Sequence, residues 1–158
     1  MIEPDRKFMR RAIELAQKGV DSNDGGPFGS VVVKDGQIIG EGWNQVTSAN
    51  DPTAHAEIVA IRDACRNLGS FQLDGCIVYT SCEPCPMCLG AIYWARPAGI
   101  FYAGTREDAA AVGFDDGMIY EEIEKPPEER RLKMVSLMRD EALEVFESWA
   151  EKPDKTEY

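Results

Sequence analysis

His55 is the sole histidine of the chain, Glu57 follows it by two positions, and thirty positions beyond His55 the run Pro84-Cys85-Pro86-Met87-Cys88 begins its pair of cysteines three apart. Any histidine-dependent nucleophilic mechanism, and any metal site with an imidazole ligand, must run through His55. In the first turn of a helix, Cys85 and Cys88 point to one side and can chelate one ion. A helix N-terminus also stabilises thiolates, which favours metal binding there. His55, Cys85 and Cys88 could together supply three ligands to one ion, and three protein ligands would leave one tetrahedral position on Zn2+ for water. Two thiolates cancel the formal charge of the ion, so that water is acidified less than at an all-histidine site and a nearby base is needed. Glu57 suits the role: it is not a ligand, and it can take the water proton and return it to a substrate. Singly, these residues are ordinary, since a histidine near a helix start is most simply a cap or core residue and one Cys-x-x-Cys also fits structural zinc or redox chemistry. Together they point to catalysis. Structural zinc would want a fourth protein ligand. Cys82 is the candidate, but it precedes Pro84 on the strand side of the turn and reads better as a small buried residue. Cys65 and Cys76 read as core.

The elements that must position these side chains follow from periodicity and punctuation. Residues 4–19 read as a first helix, with Pro4 near the start, Phe8, Ala12, Leu15 and Ala16 on one face and Gly19 as the stop. Asp35-Gly36 between the apolar runs 30–34 and 37–43 is a two-residue hairpin signal. Asp51-Pro52-Thr53 opens a second helix that ends at Gly69 and carries His55 in its first turn. Residues 76–81 have the composition of a buried strand, 85–96 read as a third helix closed by Pro97, and 100–103 as another strand. In mid-helix His55 and Glu57 would stand about 200° apart, but near a helix end a carboxylate can reach forward past the terminus. Residues 132–137 are expected as a fifth strand, 140–150 as a last helix and 151–158 as a polar tail. Two strand–helix–strand steps in succession predict an α/β domain of three layers, with a central mixed sheet of about five strands between helices.

With 158 residues, 44% of them hydrophobic and 28% charged, the chain is expected to be one globular domain spanning 1–158. Its net charge of −11 argues against stable nucleic-acid binding, which draws its affinity from cations on phosphates. The basic residues Arg6, Lys7, Arg10 and Arg11 are offset by Glu3, Asp5 and Glu14. A small or uncharged substrate fits better. The first ten residues hold no apolar stretch of signal-peptide length, and the run 89–95 is too short to span a membrane. No export and no membrane association are expected, and the location expected is the cytoplasm. Five cysteines, three of them within seven residues, favour metal or catalysis over disulfides.

A His, a Glu two positions on and a distant Pro-Cys-x-x-Cys are the signature of zinc-dependent nucleobase deaminases. Residues 53–57 (TAHAE) and 80–97 (TSCEPCPMCLGAIYWARP) resemble the cytidine-deaminase-like superfamily, and specifically its bacterial guanine deaminases. The stretches GPFG at 26–29, NDPTAHA at 50–56, GFDD at 113–116 and KTEY at 155–158 agree with that family, whereas 132–151 is generic. The zinc motif identifies the chemistry and not the base, because cytosine, cytidine and tRNA adenosine deaminases share it. What the resemblance implies is hydrolytic conversion of guanine to xanthine and ammonia, with zinc hydroxide as nucleophile and Glu57 as proton shuttle. It also implies that the purine is held by Phe28, Asn44, Ala56, Trp94, Phe114, Asp116 and Tyr158. By the same analogy the chain forms a homodimer that exchanges its C-terminal segment, about 132–158, so that Tyr158 covers an active site. The alternatives are another deaminase of the superfamily, acting on guanosine, another free base, a triazine or tRNA adenosine, and a zinc-stabilised binding module without catalysis.

Overall fold

The computed structural model describes residues 3–158. Helix α1 (Arg6–Asp21) starts at Asp5, whose side chain accepts from the backbone N–H of Lys7, satisfying one of the donors that a helix start leaves unpaired. Gly19 is not the stop expected of it: α1 runs past it to Asp21. A Cβ at Gly19 would lie 2.9 Å from Cδ1 of Trp43, so this glycine provides close approach rather than termination. Strands β1 (Gly29–Lys34) and β2 (Gln37–Trp43) form the expected hairpin. Asp35 and Gly36 both have positive φ, 50° and 74°, as a turn matched to strand twist requires.

A short helix α2 (Val46–Ala49) follows, of which the sequence pattern gives no sign, and then α3 (Ala56–Leu68), which ends on left-handed Gly69. Strand β3 (Ile77–Cys82), helix α4 (Pro86–Ala95), strand β4 (Gly99–Gly104) and helix α5 (Arg106–Ala111) complete the sheet region. The sheet order is β2-β1-β3-β4, with β1 antiparallel to both neighbours and β3 parallel to β4. The crossover through α3 therefore carries the chain from the β2 edge past β1 to β3, and α4 links the parallel pair. Alternation along β1 divides the core. Val31 and Val33 pack with Phe8 and Leu15 of α1 and Tyr79 of β3, while Val32 packs with Ala60 and Ala64 of α3, Val78 of β3 and Ala95 of α4. The two faces of one sheet thus carry α1 on one side and α3 with α4 on the other.

The seating of α3 matters for the site. Cβ atoms at Gly40 and Gly42 would meet α3 backbone at 2.6 Å (Ala60 O) and 2.3 Å (Ala56 O). Only glycine lets β2 approach that closely, and this fixes the N-terminus of α3 against the sheet.

The described residues give a sheet of four strands, not about five. Residues 132–137 form no ladder, and Leu132, Val135 and Leu137 are 78–87% exposed. Their apolar, strand-like composition signalled burial but could not name a partner edge. The chain divides into two compact units, Met1–Asp116 and Gly117–Tyr158. The second consists of α6 (Gly117–Glu124), a 3-10 turn (Pro127–Glu129) and α7 (Arg139–Glu151). Within it Glu122 accepts from Lys125 Nζ and from the Arg131 backbone N–H, both at 2.6 Å. Among the described residues no helix is long and apolar enough to cross a membrane.

Candidate active site

His55 and Cys85 occupy equivalent places, the N-caps of α3 and α4. His55 therefore stands one position before the helical turn in which its spacing had placed it. Both residues have extended backbones, with ψ of 154° and 167°, and their carbonyls accept the first helical bonds, from Val59 N and Leu89 N. Neither side chain caps its own helix, so imidazole and thiol are both turned to another use. The entry to His55 is held by Asp51, whose Oδ1 accepts from Thr53 N and Thr53 Oγ1. Pro86, at the first position of α4, needs no partner for a missing N–H.

Cys88, one turn into α4, is fully buried. Its Sγ and that of Cys85 each lie 3.5 Å from His55 Nδ1, and the three ligand atoms are all within 4.8 Å of one another. A tetrahedral zinc with Zn–S of about 2.3 Å and Zn–N of about 2.0–2.1 Å requires an S···N separation of about 3.5 Å. The donor set fits Zn2+ in both chemistry and spacing. Cys82 does not join it: its Sγ donates to Thr105 O at 3.5 Å, and it is the small, partly buried residue the turn implied. Cys76 is buried in the core and Cys65 packs against it.

The electrostatics of the cluster are strongly biased. Hydrogen bonds from the Cys88 thiol and then from His55 bring the Cys85 thiol down to about 4. The bond to Cys85, with burial and the Glu57 charge, pushes Cys88 up. His55 is raised by its bond to Cys85. Glu57, only 6% exposed, has its Oε2 3.4 Å from Cys88 Sγ, and burial raises its pKa. The separation expected between His55 and Glu57 in mid-helix does not keep them apart, because the N-cap residue departs from the helical path and Glu57 reaches back from the first turn.

The other residues expected at the site are Phe28, Asn44, Ala56, Trp94, Phe114, Asp116 and Tyr158. Phe28 and Phe114 meet edge to face, ring centroids 5.0 Å apart, and Gly26 lies under both, where a Cβ would be 3.0 Å from each ring. Asn44 is buried, and its Oδ1 accepts from Gly26 N and Val46 N, each at 3.2 Å. Its amide is thereby oriented with Nδ2 away from the loop. Gly25 makes this possible, since a Cβ there would lie 2.1 Å from Asn44 Oδ1. The Gly25-Gly26 pair reads from sequence only as a loop, and its fit to Asn44 carries no pattern of its own. Ala56, fully buried, is the first residue of α3. Asp116 is raised by burial first and then by the Cys85 charge. Trp94 is on an exposed part of α4, and Tyr158, the last residue of the second unit, is likewise exposed.

Residues 2–104 match the cytidine and deoxycytidylate deaminase zinc-binding region. The chain is 59% identical over 151 residues to the guanine deaminase of Bacillus subtilis, covering 96% of this chain and 97% of that one. The X-ray structure of guanine deaminase from Bacillus subtilis superposes with a TM-score of 0.95 at 57% identity, over 99% of both chains. A tRNA-specific adenosine deaminase of Haemophilus influenzae is 41% identical over 120 residues, 72% of this chain and 69% of that protein. With a His–Cys–Cys cluster at the starts of two helices that could hold zinc, a buried glutamate beside it and similarity over nearly its full length, this chain belongs to the bacterial guanine deaminases of the cytidine-deaminase-like, zinc-dependent deaminase superfamily.

Proposed function

We propose that the chain hydrolyses guanine to xanthine and ammonia, and that His55, Cys85 and Cys88 hold the zinc for this reaction. The observation that carries the reading is the meeting of these three ligand atoms with the Glu57 carboxylate, 3.4 Å from Cys88 Sγ, in a chain 59% identical to a guanine deaminase. Zinc, when bound, supplies a nucleophile at neutral pH by acidifying a water.

The chain's own residues do the rest. Glu57 takes the proton of the attacking water and delivers it to N3 of guanine, which leaves C2 electrophilic. A C2–O bond forms, the second proton of the water passes to the exocyclic nitrogen, and the bond from C2 to that nitrogen breaks, so that ammonia leaves and the new oxygen becomes the C2 carbonyl. Asp116, whose pKa is raised by burial and then by the Cys85 charge, assists this last transfer. Phe28, Phe114 and Trp94 supply aromatic faces for the flat purine. The Nδ2 of Asn44 donates to an acceptor on the base, and Ala56 offers the backbone N–H at the start of α3. The test is ammonia release from guanine, guanosine, adenine and cytosine, with zinc measured on the same sample. Guanine is expected to be the preferred substrate; a zinc-replete protein that leaves guanine untouched would overturn the reading.

We further propose that residues 1–158 work as one deaminase domain in the cytoplasm, where thiolate ligands stay reduced, within a homodimer that exchanges its C-terminal segment. Exposed Leu132, Val135, Leu137 and Phe146 give the second unit an apolar surface suited to a second copy. Tyr158 then closes the partner's site and excludes water. Deleting residues 155–158 should lower turnover of guanine about 10-fold or more while zinc stays bound; unchanged kinetics would reject the lid.

A further inference from the structure

We infer that Asp24 is a positioning residue for substrate binding, acting through a hydrogen bond to Trp43 that holds Asn44 and Phe28 in place. The inference rests on the guanine-binding role proposed above for those two residues. Asp24 uses each of its polar groups on a different segment. Its N–H donates to Gly19 O at 2.9 Å, in the last turns of α1. Its carbonyl accepts from Ser48 N at 3.1 Å and Thr47 Oγ1 at 2.9 Å, both on α2. Its carboxylate Oδ2 accepts from Trp43 Nε1 at 2.8 Å, at the end of β2.

The Trp43 ring is fixed on other sides as well. Lys18 Nζ lies 3.9 Å from the ring centroid, and Gly19 packs against Cδ1. An indole with a cation on its face and a carboxylate on its N–H edge is anchored by both ends of its charge distribution.

The consequence lies in chain order. Two residues after Asp24, Gly26 N donates to Asn44 Oδ1, and Phe28 O accepts from Asn44 N at 3.0 Å. One residue after Trp43 comes Asn44 itself. The Asp24–Trp43 bond therefore ties together the two stretches whose separation sets the Asn44 amide and the Phe28 ring. Residues 22–27 form no helix or strand, so the loop is held by contacts of this kind: the Asp24–Trp43 bond, Thr47 Oγ1 to Asp24 O and Gly26 N to Asn44 Oδ1. The Gly26 N to Asn44 Oδ1 distance of 3.2 Å is at the long end for such a bond, and a small displacement of the loop loses it. No sequence pattern marks Asp24 or Trp43 for this role.

The experiment compares Asp24→Ala, Trp43→Phe, the double variant and Asp24→Asn with the unaltered zinc-loaded enzyme. Misplacement by about 1 Å costs up to about 10²-fold, so Asp24→Ala and Trp43→Phe should each raise KM for guanine about 10-fold, with kcat within about twofold. Zinc content should be unchanged. The double variant should be no worse than either single one, because both remove the same bond. Asp24→Asn, which can still accept from the indole N–H, should restore most of the affinity. Unchanged KM in Asp24→Ala, fully additive losses, or a fall in kcat accompanied by loss of zinc would each overturn the proposal. If the unaltered enzyme itself fails to deaminate guanine, it is the functional reading that fails and not this one.

Discussion

Replacing Glu57 by Ala should leave zinc in place and lower kcat for guanine by about 10²–10⁴-fold, the range that a positioned general acid–base contributes. The separation of the two effects follows from the geometry. The atoms proposed as ligands are His55 Nδ1, Cys85 Sγ and Cys88 Sγ, and removing a neighbouring carboxylate subtracts none of them. Glu57 nonetheless sits where its proton matters, 6% exposed with its Oε2 facing the cluster. Burial raises its pKa, which brings a carboxyl group nearer to the range in which it can both take and return a proton. Glu57→Gln keeps the shape and the hydrogen-bonding capacity but cannot cycle a proton, so it should lose rate as Glu57→Ala does, and KM should change little in either. Metal analysis and steady-state kinetics on the same preparations check this. Full activity in Glu57→Gln would sink the proton-shuttle assignment, and zinc loss in Glu57→Ala would mean that the carboxylate is part of the metal site.

Much of this site was legible because its constraints are local. The Asp35-Gly36 hairpin, the Gly69 stop and the Pro97 closure each rest on one or two residues whose backbone preferences decide the conformation. The pairing of Cys85 with Cys88 rests on one helical turn. The meeting of these cysteines with His55, thirty positions away, is not local, and it was legible only through the zinc motif and the family resemblance. What escaped depends on neighbours distant in sequence. Gly19 carries the same composition signal as a helix stop, whereas in the fold α1 continues to Asp21 and the glycine leaves room for the Trp43 ring. Residues 132–137 have a strand's composition, but a strand exists only with a partner, and none pairs with them among the described residues. His55 stands at the N-cap instead of inside the first turn, a difference of one residue that spacing cannot resolve and that brings its imidazole into reach of both thiols. The Asn44 amide shows the same limit. Its identity is plain in the sequence, whereas its orientation is set by Gly25, Gly26 and Val46, which carry no pattern pointing to it.

The largest loss should come from Cys88→Ala, and its value lies in what survives. Cys88 is fully buried at 3.5 Å from His55 Nδ1, and without it two protein ligands remain, fewer than either structural or catalytic zinc sites use. The variant should lose its zinc. Turnover should fall by at least about 10⁴-fold, because a water that no metal acidifies keeps its pKa of about 15.7, far above that of a zinc-bound water. The fold should persist. Neither core cluster includes His55, Cys85 or Cys88: one joins α1 to β1 and β3, and the other joins β1 and β3 to α3 and α4. The zinc of this chain thus differs from that of a small zinc-folded module, whose metal-binding energy is its folding energy. Circular dichroism and a cooperative melt should therefore resemble those of the unaltered protein. Zinc should restore turnover to the chelator-treated unaltered protein but not to Cys88→Ala. If Cys88→Ala keeps one equivalent of zinc and its activity, Cys88 is not a ligand. If it unfolds when the metal leaves, the zinc supports the structure itself, and the two apolar cores have been credited with more stability than they provide.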